Sequence, residues 1–463
     1  MKMKNLIVAR VLLWTWLCSL VRSLAEAQDI RADFPLAKDQ DSFDTHSFGG
    51  SMMREHFQLN YTNFNHGSFG ACPKSVLKYQ SSLRLQQEQQ PDVWMRQRYR
   101  QLLNETRAKV ASYIGLLPSQ EDGLVLVESA STAVNSIMRS YPWTQGDVIV
   151  YFSVAYAMVK NTATWLAETE GVQIVQVPVA FPIGEEQAES AFLDPMQQAL
   201  QHLPDPSKLK MVVLDHMVSV PAVKEPIDQL AAMVKTINPT SFVLVDGAHI
   251  LGQTRDLNIS RMSNVDAYLS NGHKWLYSAK GSAFLWVNQS SITATFPEPT
   301  VISSGNLMGP TCTTSLSQRY EYVSSRDYTA FLSMSAAIDF RHNLMDGGDL
   351  AIYKYCRTLA LQAKHYLLEL WNATALAPDS IEEFMINIEL PAAINSPSKG
   401  LALHNYLLDH HNTYMLVLGS GQQYTRLSSQ IYLEMDDFQR LGDLVLKYIT
   451  IMEEAQWSTQ TVV

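Results

Sequence analysis

Cysteine is scarce in this 463-residue chain: Cys18, Cys72, Cys312 and Cys356 are all it has. Loss of an N-terminal leader carrying Cys18 would leave an odd number, which cannot all pair within one chain. A chain of this length does not need disulfides to hold its core, so one bridge with a free thiol and three buried thiols both stay open. No internal repeat and no cluster with metal-ligand spacing is present, and His410-His411 has no partner carboxylate or cysteine pattern, so no metal is expected. The dinucleotide fingerprint is missing as well, because Gly419-Ser420-Gly421 lacks the third glycine and the strand-to-helix context. Positive charge is short, at 35 Lys and Arg against 45 Asp and Glu, and the net charge of −10 argues against nucleic acid or an anionic membrane as main partner.

Long apolar runs are short too. The stretch at 11–21 is bounded by Arg10 and Arg22, well below the roughly 20 residues that span a bilayer. With Lys2 and Lys4 before it and Ala25-Glu26-Ala27 after it, it reads as a secretory signal peptide over 1–27, leaving no membrane span after cleavage. Sequons at Asn60, Asn104, Asn258, Asn288 and Asn372 agree with a secreted or lumenal glycoprotein.

What remains is globular, with 46% hydrophobic and 17% charged residues, and long enough for two packed domains. Apolar runs at 123–128, 147–151, 172–177, 211–216 and 242–246 read as strands, with helical periodicity over 73–116, 195–203 and 227–237. Such alternation belongs to an α/β fold with a largely parallel sheet.

The most pointed signal is Ser270-Asn271-Gly272-His273-Lys274-Trp275, read with Val245-Asp246-Gly247-Ala248-His249. A desolvated lysine can form an imine with an aldehyde, and pyridoxal phosphate enzymes pair it with a carboxylate on the pyridine nitrogen. Asp246 ends a buried strand, where parallel sheets present ligand-binding residues.

These two segments resemble the class V aminotransferase family of fold-type I pyridoxal phosphate enzymes, in its isopenicillin N epimerase-like branch. The resemblance covers about residues 60–450. It implies an α/β, three-layer, aspartate aminotransferase-like fold, with a large mixed or parallel-sheet domain and a smaller C-terminal α+β domain. The expected division is a linker and active-site arm over 28–75, a cofactor domain over 76–305, a small domain over 306–453 and a tail over 454–463.

Residue by residue, the resemblance makes Lys274 the Schiff-base lysine and acid-base group, with Asp246 on the pyridine nitrogen and His249 near the ring hydroxyl. Asn271, His273, Ser131 and Thr132 fall near the phosphate; Ser129 stands where relatives often carry asparagine, and N-capping would account for the serines equally. Tyr156 is the ring-stacking candidate, Val154 standing where a histidine is usual, and His216 is a histidine near the cofactor. Ser325, in Ser325-Arg326-Asp327, resembles a motif reaching the phosphate of a neighbouring subunit, so a homodimer with shared sites is implied. Arg426 would grip the substrate carboxylate in a two-pronged hydrogen bond. The segment Asn65-His66-Gly67-Ser68 would close over the substrate, with His66, Gly67 and Ser68 on its side.

The expected function is a pyridoxal 5'-phosphate enzyme acting on an amino acid through an external aldimine and α-proton transfer. Epimerase, C–S lyase and aminotransferase outcomes stay open, as does a secreted binding protein without turnover. A persulfide-forming desulfurase fits poorly, since no cysteine lies between Cys356 and Arg426.

Overall fold

The structure is a computed structural model that describes residues 48–50, 55–255, 257–303, 315–345 and 347–460. The expected signal peptide, Cys18, Cys312 and the domain boundary at 305/306 lie outside the described residues.

The strands in chain order are β1 (Thr62–Asn63), β2 (Leu124–Val127), β3 (Val148–Phe152), β4 (Gln173–Val177), β5 (Leu209–Asp215) and β6 (Phe242–Asp246). They continue with β7 (Ala267–Asn271), β8 (Ala283–Val287), β9 (Met385–Glu389), β10 (Thr413–Tyr414), β11 (Leu416–Leu418) and β12 (Tyr424–Ser428). Seven of them form one sheet in the order β2-β8-β7-β6-β5-β3-β4. From β4 to β7 the pairing is parallel, while β8 runs antiparallel to both β7 and β2, so the sheet is mixed.

These strands are apolar on both sides because helices cover both faces. Side chains alternate across a strand, so Val148, Val150 and Phe152 join one buried cluster and Ile149 and Tyr151 the opposite one. In β6, Val243 and Val245 enter the first cluster and Phe242 and Leu244 the second. Each such side chain contributes about 1.5–3 kcal/mol on burial, which makes this sheet a stiff platform. Asp246 has the parity of Phe242 and Leu244, so it faces the second cluster, where the helices Ala130–Ser140 and Ala157–Glu170 lie.

A second, antiparallel sheet, β11-β12-β9, packs with the helices Gly348–Trp371 and Met435–Gln460 around a third cluster that includes Met385, Leu427 and Trp371. Trp275 and Tyr277, which follow Lys274, belong to this cluster too. The N-terminal arm is stitched onto this part: β1 pairs in parallel with β10, and Ser428 N–H donates to the Phe64 carbonyl at 2.7 Å.

The helical stretch over 73–116 divides at Pro91 into Lys74–Gln89 and Tyr99–Tyr113, joined by a wide turn at Trp94–Arg98. Residues 66–69, read from sequence as part of a glycine-rich loop, form one helical turn instead. Ser68 N–H donates to the Asn65 carbonyl and Gly70 N–H to the His66 carbonyl, which tightens the segment beyond what two glycines announce. No helix among the described residues is long and apolar enough to cross a membrane.

Candidate functional site

The carboxyl ends of β5, β6 and β7 meet the short turn after β7, and this junction builds the site. Gly272 N–H donates to the Ser282 carbonyl and Ser278 N–H to the Gly272 carbonyl, closing a tight connection that carries Lys274. On the other side, Gly70 adopts φ +69 and passes so close that a Cβ there would sit 2.0 Å from the His273 carbonyl oxygen. Only glycine allows that approach.

Lys274 Nζ lies 3.0 Å from His249 Nε2. Burial first, then the charge of Arg426, pulls the Lys274 amine down to about 7, while Asp246 opposes the fall. Burial and the charges of Lys274 and Arg426 press His249 well below its ordinary range, so it is a neutral imidazole hydrogen-bonded to the lysine amine. Asp246 is 2% exposed and one of its oxygens accepts from Ala248 N–H at 2.9 Å. Its carboxyl is pushed up by burial, with the Ala248 N–H and Lys274 favouring the charged form.

Arg426 comes from β12, 1% exposed. Its guanidinium donates to Asn65 Oδ1 at 2.7 Å, Ser68 Oγ at 2.8 Å and the Ser219 carbonyl at 2.7 Å, while its buried Nε has no partner. No acid pairs with it among these contacts, so the neutral holders leave its charge free for an incoming carboxylate. Gly67 N–H bonds Ser428 Oγ at 3.1 Å, and a Cβ on Gly67 would press on Met385 Sδ at 2.5 Å.

The helix Ala130–Ser140 begins against the end of β7. Ser129 caps it by accepting from Thr132 N–H at 3.1 Å, and Ala130 N–H is taken by Asn271 Oδ1 at 2.9 Å. Asn271 thereby ties β7 to a helix start whose remaining N–H groups and the Ser131 and Thr132 hydroxyls can hold an anion. Arg326 forms an ion pair with Glu128 next to this start.

The expected residues therefore fall into three sets. Lys274, Asp246, His249, Arg426 and Ser68 converge, and Ser131, Thr132 and Asn271 gather at the helix start. The third set does not join them, its histidines engaged elsewhere and Ser325 and Tyr156 exposed. His66 is fully buried, with Nδ1 2.9 Å from the Tyr432 hydroxyl and Nε2 2.9 Å from the Lys274 carbonyl, so both ring nitrogens serve the protein rather than a substrate. His216 Nδ1 lies 2.7 Å from the Tyr268 hydroxyl, and His273 Nδ1 lies 3.0 Å from the Ser282 carbonyl. Burial lowers both imidazoles to about 4. Ser325 is exposed and bonded to the Tyr322 hydroxyl. Tyr156 precedes the helix Ala157–Glu170 with 51% of its surface open.

Sequence reasoning missed Asn65, Ser219 and Tyr432. Asn65 stood in the same motif as His66 and was legible there; nothing in the sequence set Ser219 or Tyr432 apart.

Pyridoxal phosphate needs an amine that is neutral near physiological pH, a carboxylate for its ring nitrogen and an anion-binding helix start. Lys274, Asp246 and the Ser129-capped helix meet those needs, and the unpartnered, buried His249 Nδ1 is a further polar atom at the same place. Among the described residues no group of His, Cys, Asp and Glu that could hold a metal ion is found.

Comparison with known proteins agrees. The family model for class V aminotransferases matches residues 79–406. The hercynylcysteine sulfoxide lyase of Schizosaccharomyces pombe (strain 972 / ATCC 24843) is 26% identical, over 87% of this chain and 98% of the relative. The isopenicillin N epimerase of Streptomyces clavuligerus is 26% identical, over 69% of this chain and 78% of the relative. Among solved structures, a cystine C-S lyase in complex with its reaction product cysteine persulfide superposes with a TM-score of 0.70 at 19% identity, over 84% of this chain and 97% of that one. With pyridoxal phosphate as its cofactor and amino-acid derivatives as its substrate class, this chain belongs to the class V aminotransferase family.

Proposed function

We propose that this protein cleaves the carbon–sulfur bond of an S-substituted cysteine. One substrate and one water give pyruvate, ammonium and the released sulfur fragment. The observation that carries this reading is the near-neutral amine of Lys274, set between a buried carboxylate and an arginine held by neutral partners. Likeness to the sulfoxide lyase over almost all of that relative's length supports it.

Bound pyridoxal phosphate supplies the electron sink. Arg426 holds the substrate carboxylate, and Asn65, Ser68 and the Ser219 carbonyl fix its fork. Lys274 takes the α-proton and hands it to the departing sulfur, with His249 orienting the amine. Asp246 would keep the ring nitrogen protonated, and the Ala130 helix start with Ser131 and Thr132 would hold the phosphate. A persulfide route through a cysteine of this chain is disfavoured at both described thiols. Burial pushes Cys72 up to about 12 and Cys356 higher still, so neither is a ready nucleophile.

Inversion at the α-carbon is a second reading, favoured by the likeness to isopenicillin N epimerase. Mass spectrometry after incubation with S-substituted cysteines and pyridoxal phosphate in heavy water separates the two. Pyruvate with a released sulfur fragment is expected; deuterium at the α-carbon of an intact skeleton supports inversion. Unchanged substrate would sink both and favour binding without turnover.

The protein is further proposed to be secreted or lumenal, and to work as a homodimer in which Ser325 reaches a neighbouring site. Asn60, Asn104 and Asn372 are exposed sequon positions. Asn258 and Asn288 are half-buried. Glycosidase treatment of secreted material should therefore shift mass at the first three. A retained leader or an unglycosylated chain would overturn the compartment.

A further inference from the structure

Three carboxyls stand together under the site, and only one of them has a task so far. Asp215 and Asp246 are register partners on the adjacent parallel strands β5 and β6, so their side chains leave the sheet on the same face. Glu225, from the loop before the helix Ile227–Ile237, turns back to accept from the Asp215 N–H at 3.0 Å. All three are nearly sealed, at 4%, 4% and 2% exposed. Asp215 Oδ2 and Glu225 Oε1 are buried with no hydrogen-bond partner.

Unpaired buried carboxylate oxygens are costly, and adjoining carboxylates in a dry site cannot all ionise. The surrounding cations relieve them little, and only Lys160 favours the charged form of Asp215. Lys160, on the helix Ala157–Glu170, spends its amine on the Ser153 carbonyl at 2.7 Å. Lys224 is paired with Glu383 at 2.6 Å, and Lys274 bonds His249. His216 is a neutral imidazole on the Tyr268 hydroxyl. Charge is favoured at Asp246 by both the Ala248 N–H and Lys274, whereas Asp215 has only Lys160 and Glu225 only the Asp215 N–H. Burial and then Asp246 drive Asp215 strongly toward its protonated form, and burial, Asp215 and Asp246 do the same to Glu225.

We propose that Asp215 and Glu225 retain a proton between them at neutral pH and act as a positioning pair that leaves Asp246 as the ionised member of the cluster. The proton stays on the pair throughout, and no bond is made or broken there. The pair does not touch substrate. It sets how firmly Asp246 holds its negative charge, and through it how firmly a ring nitrogen facing Asp246 stays protonated. This second consequence rests on the reading of Asp246 given above; the shared proton does not.

The test uses the full-length protein with and without pyridoxal phosphate. Infrared difference spectra at neutral pH, wild type minus Asp215→Asn and wild type minus Glu225→Gln, are expected to show loss of a protonated carboxylic-acid band in both variants. Absence of any such band in either difference overturns the proposal, and Glu225→Gln keeps the test alive if Asp215→Asn does not fold. The second measurement is a pH titration of the bound cofactor's absorption, expected to shift its midpoint in Glu225→Gln with little change in substrate KM. If the infrared band is lost but the titration is unmoved, the shared proton stands, the coupling to Asp246 falls and with it the positioning role.

Discussion

The Nε2 atom of His66 lies 2.9 Å from the carbonyl oxygen of Lys274, while its Nδ1 meets the Tyr432 hydroxyl at the same distance. The arm that precedes the large sheet thus braces the backbone of the lysine from behind. Burial lowers the His66 imidazole to about 3, so it is neutral in the folded protein. The unfolded chain binds the proton first on acidification, and the stabilisation is complete above the ordinary histidine pKa of about 6.5 and lost as pH falls below it. Between pH 7.5 and 5.5 the wild type should lose about 1.4 kcal/mol more stability than His66→Asn, measured by urea unfolding. Parallel losses in the two proteins would refute a neutral, buried His66.

Lys274 offers the second prediction. With its amine near 7, labelling by pyridoxal phosphate and borohydride should rise with pH around that value, and peptide mass spectrometry should place the label on Lys274. Arg426 contributes to the lowering, so Arg426→Gln removes a repelling charge and should move the midpoint upward. Lys274→Ala should lose both label and turnover, by about 100-fold or more. A midpoint near that of an ordinary lysine would contradict the desolvated site.

The carboxylate grip can be probed at a distance. Asn387 is the register partner of Arg426, and its amide clamps both backbone groups of Ala222, at 2.8 and 3.0 Å. Glu382 accepts from the Asn387 amide at 2.7 Å and from Lys364 at 2.6 Å. This network anchors the loop that supplies the Ser219 carbonyl to Arg426. Arg426→Lys and Asn65→Ala should raise KM by about tenfold or more, the scale of a lost hydrogen bond to a charged group. Asn387→Ala should raise KM more than it lowers kcat. Equal substrate affinity in Arg426→Lys would remove Arg426 from the substrate.

Two glycines that share a positive φ differ in what a Cβ would meet, and Gly70 adds an extended ψ of 169 that further restricts it to glycine. Gly70 and Gly146 both have left-handed φ, +69 and +82, but a Cβ at Gly146 meets nothing within 4 Å. Gly146→Ala should cost about 1–2 kcal/mol, the left-handed penalty alone. Gly70→Ala adds a clash with the His273 carbonyl and the Lys274 backbone, and should cost about 3 kcal/mol or more and weaken cofactor retention. Thermal unfolding with and without cofactor compares them, and equal costs would mean the close approach is not real.

Much of this was legible in the chain. Residues 242–246 and 227–237 are a strand and a helix with the bounds their apolar patterns predict, because buried parallel strands and amphipathic helices are written in local periodicity. The Asp246 and Lys274 motifs announced the cofactor only as a pair and through the family they resemble, since a lone lysine is usually an exposed surface residue and a lone strand-end aspartate a cap. The tertiary structure decided who touches whom. His66 belongs to the lysine's backbone, Asn65 to the arginine, and Asp215 and Glu225 to Asp246, across separations that no sequence period records. Periodicity reports which face a residue takes. Contacts between residues hundreds of positions apart depend on how the arm, the two sheets and the turn after β7 pack, and only the folded chain fixes that.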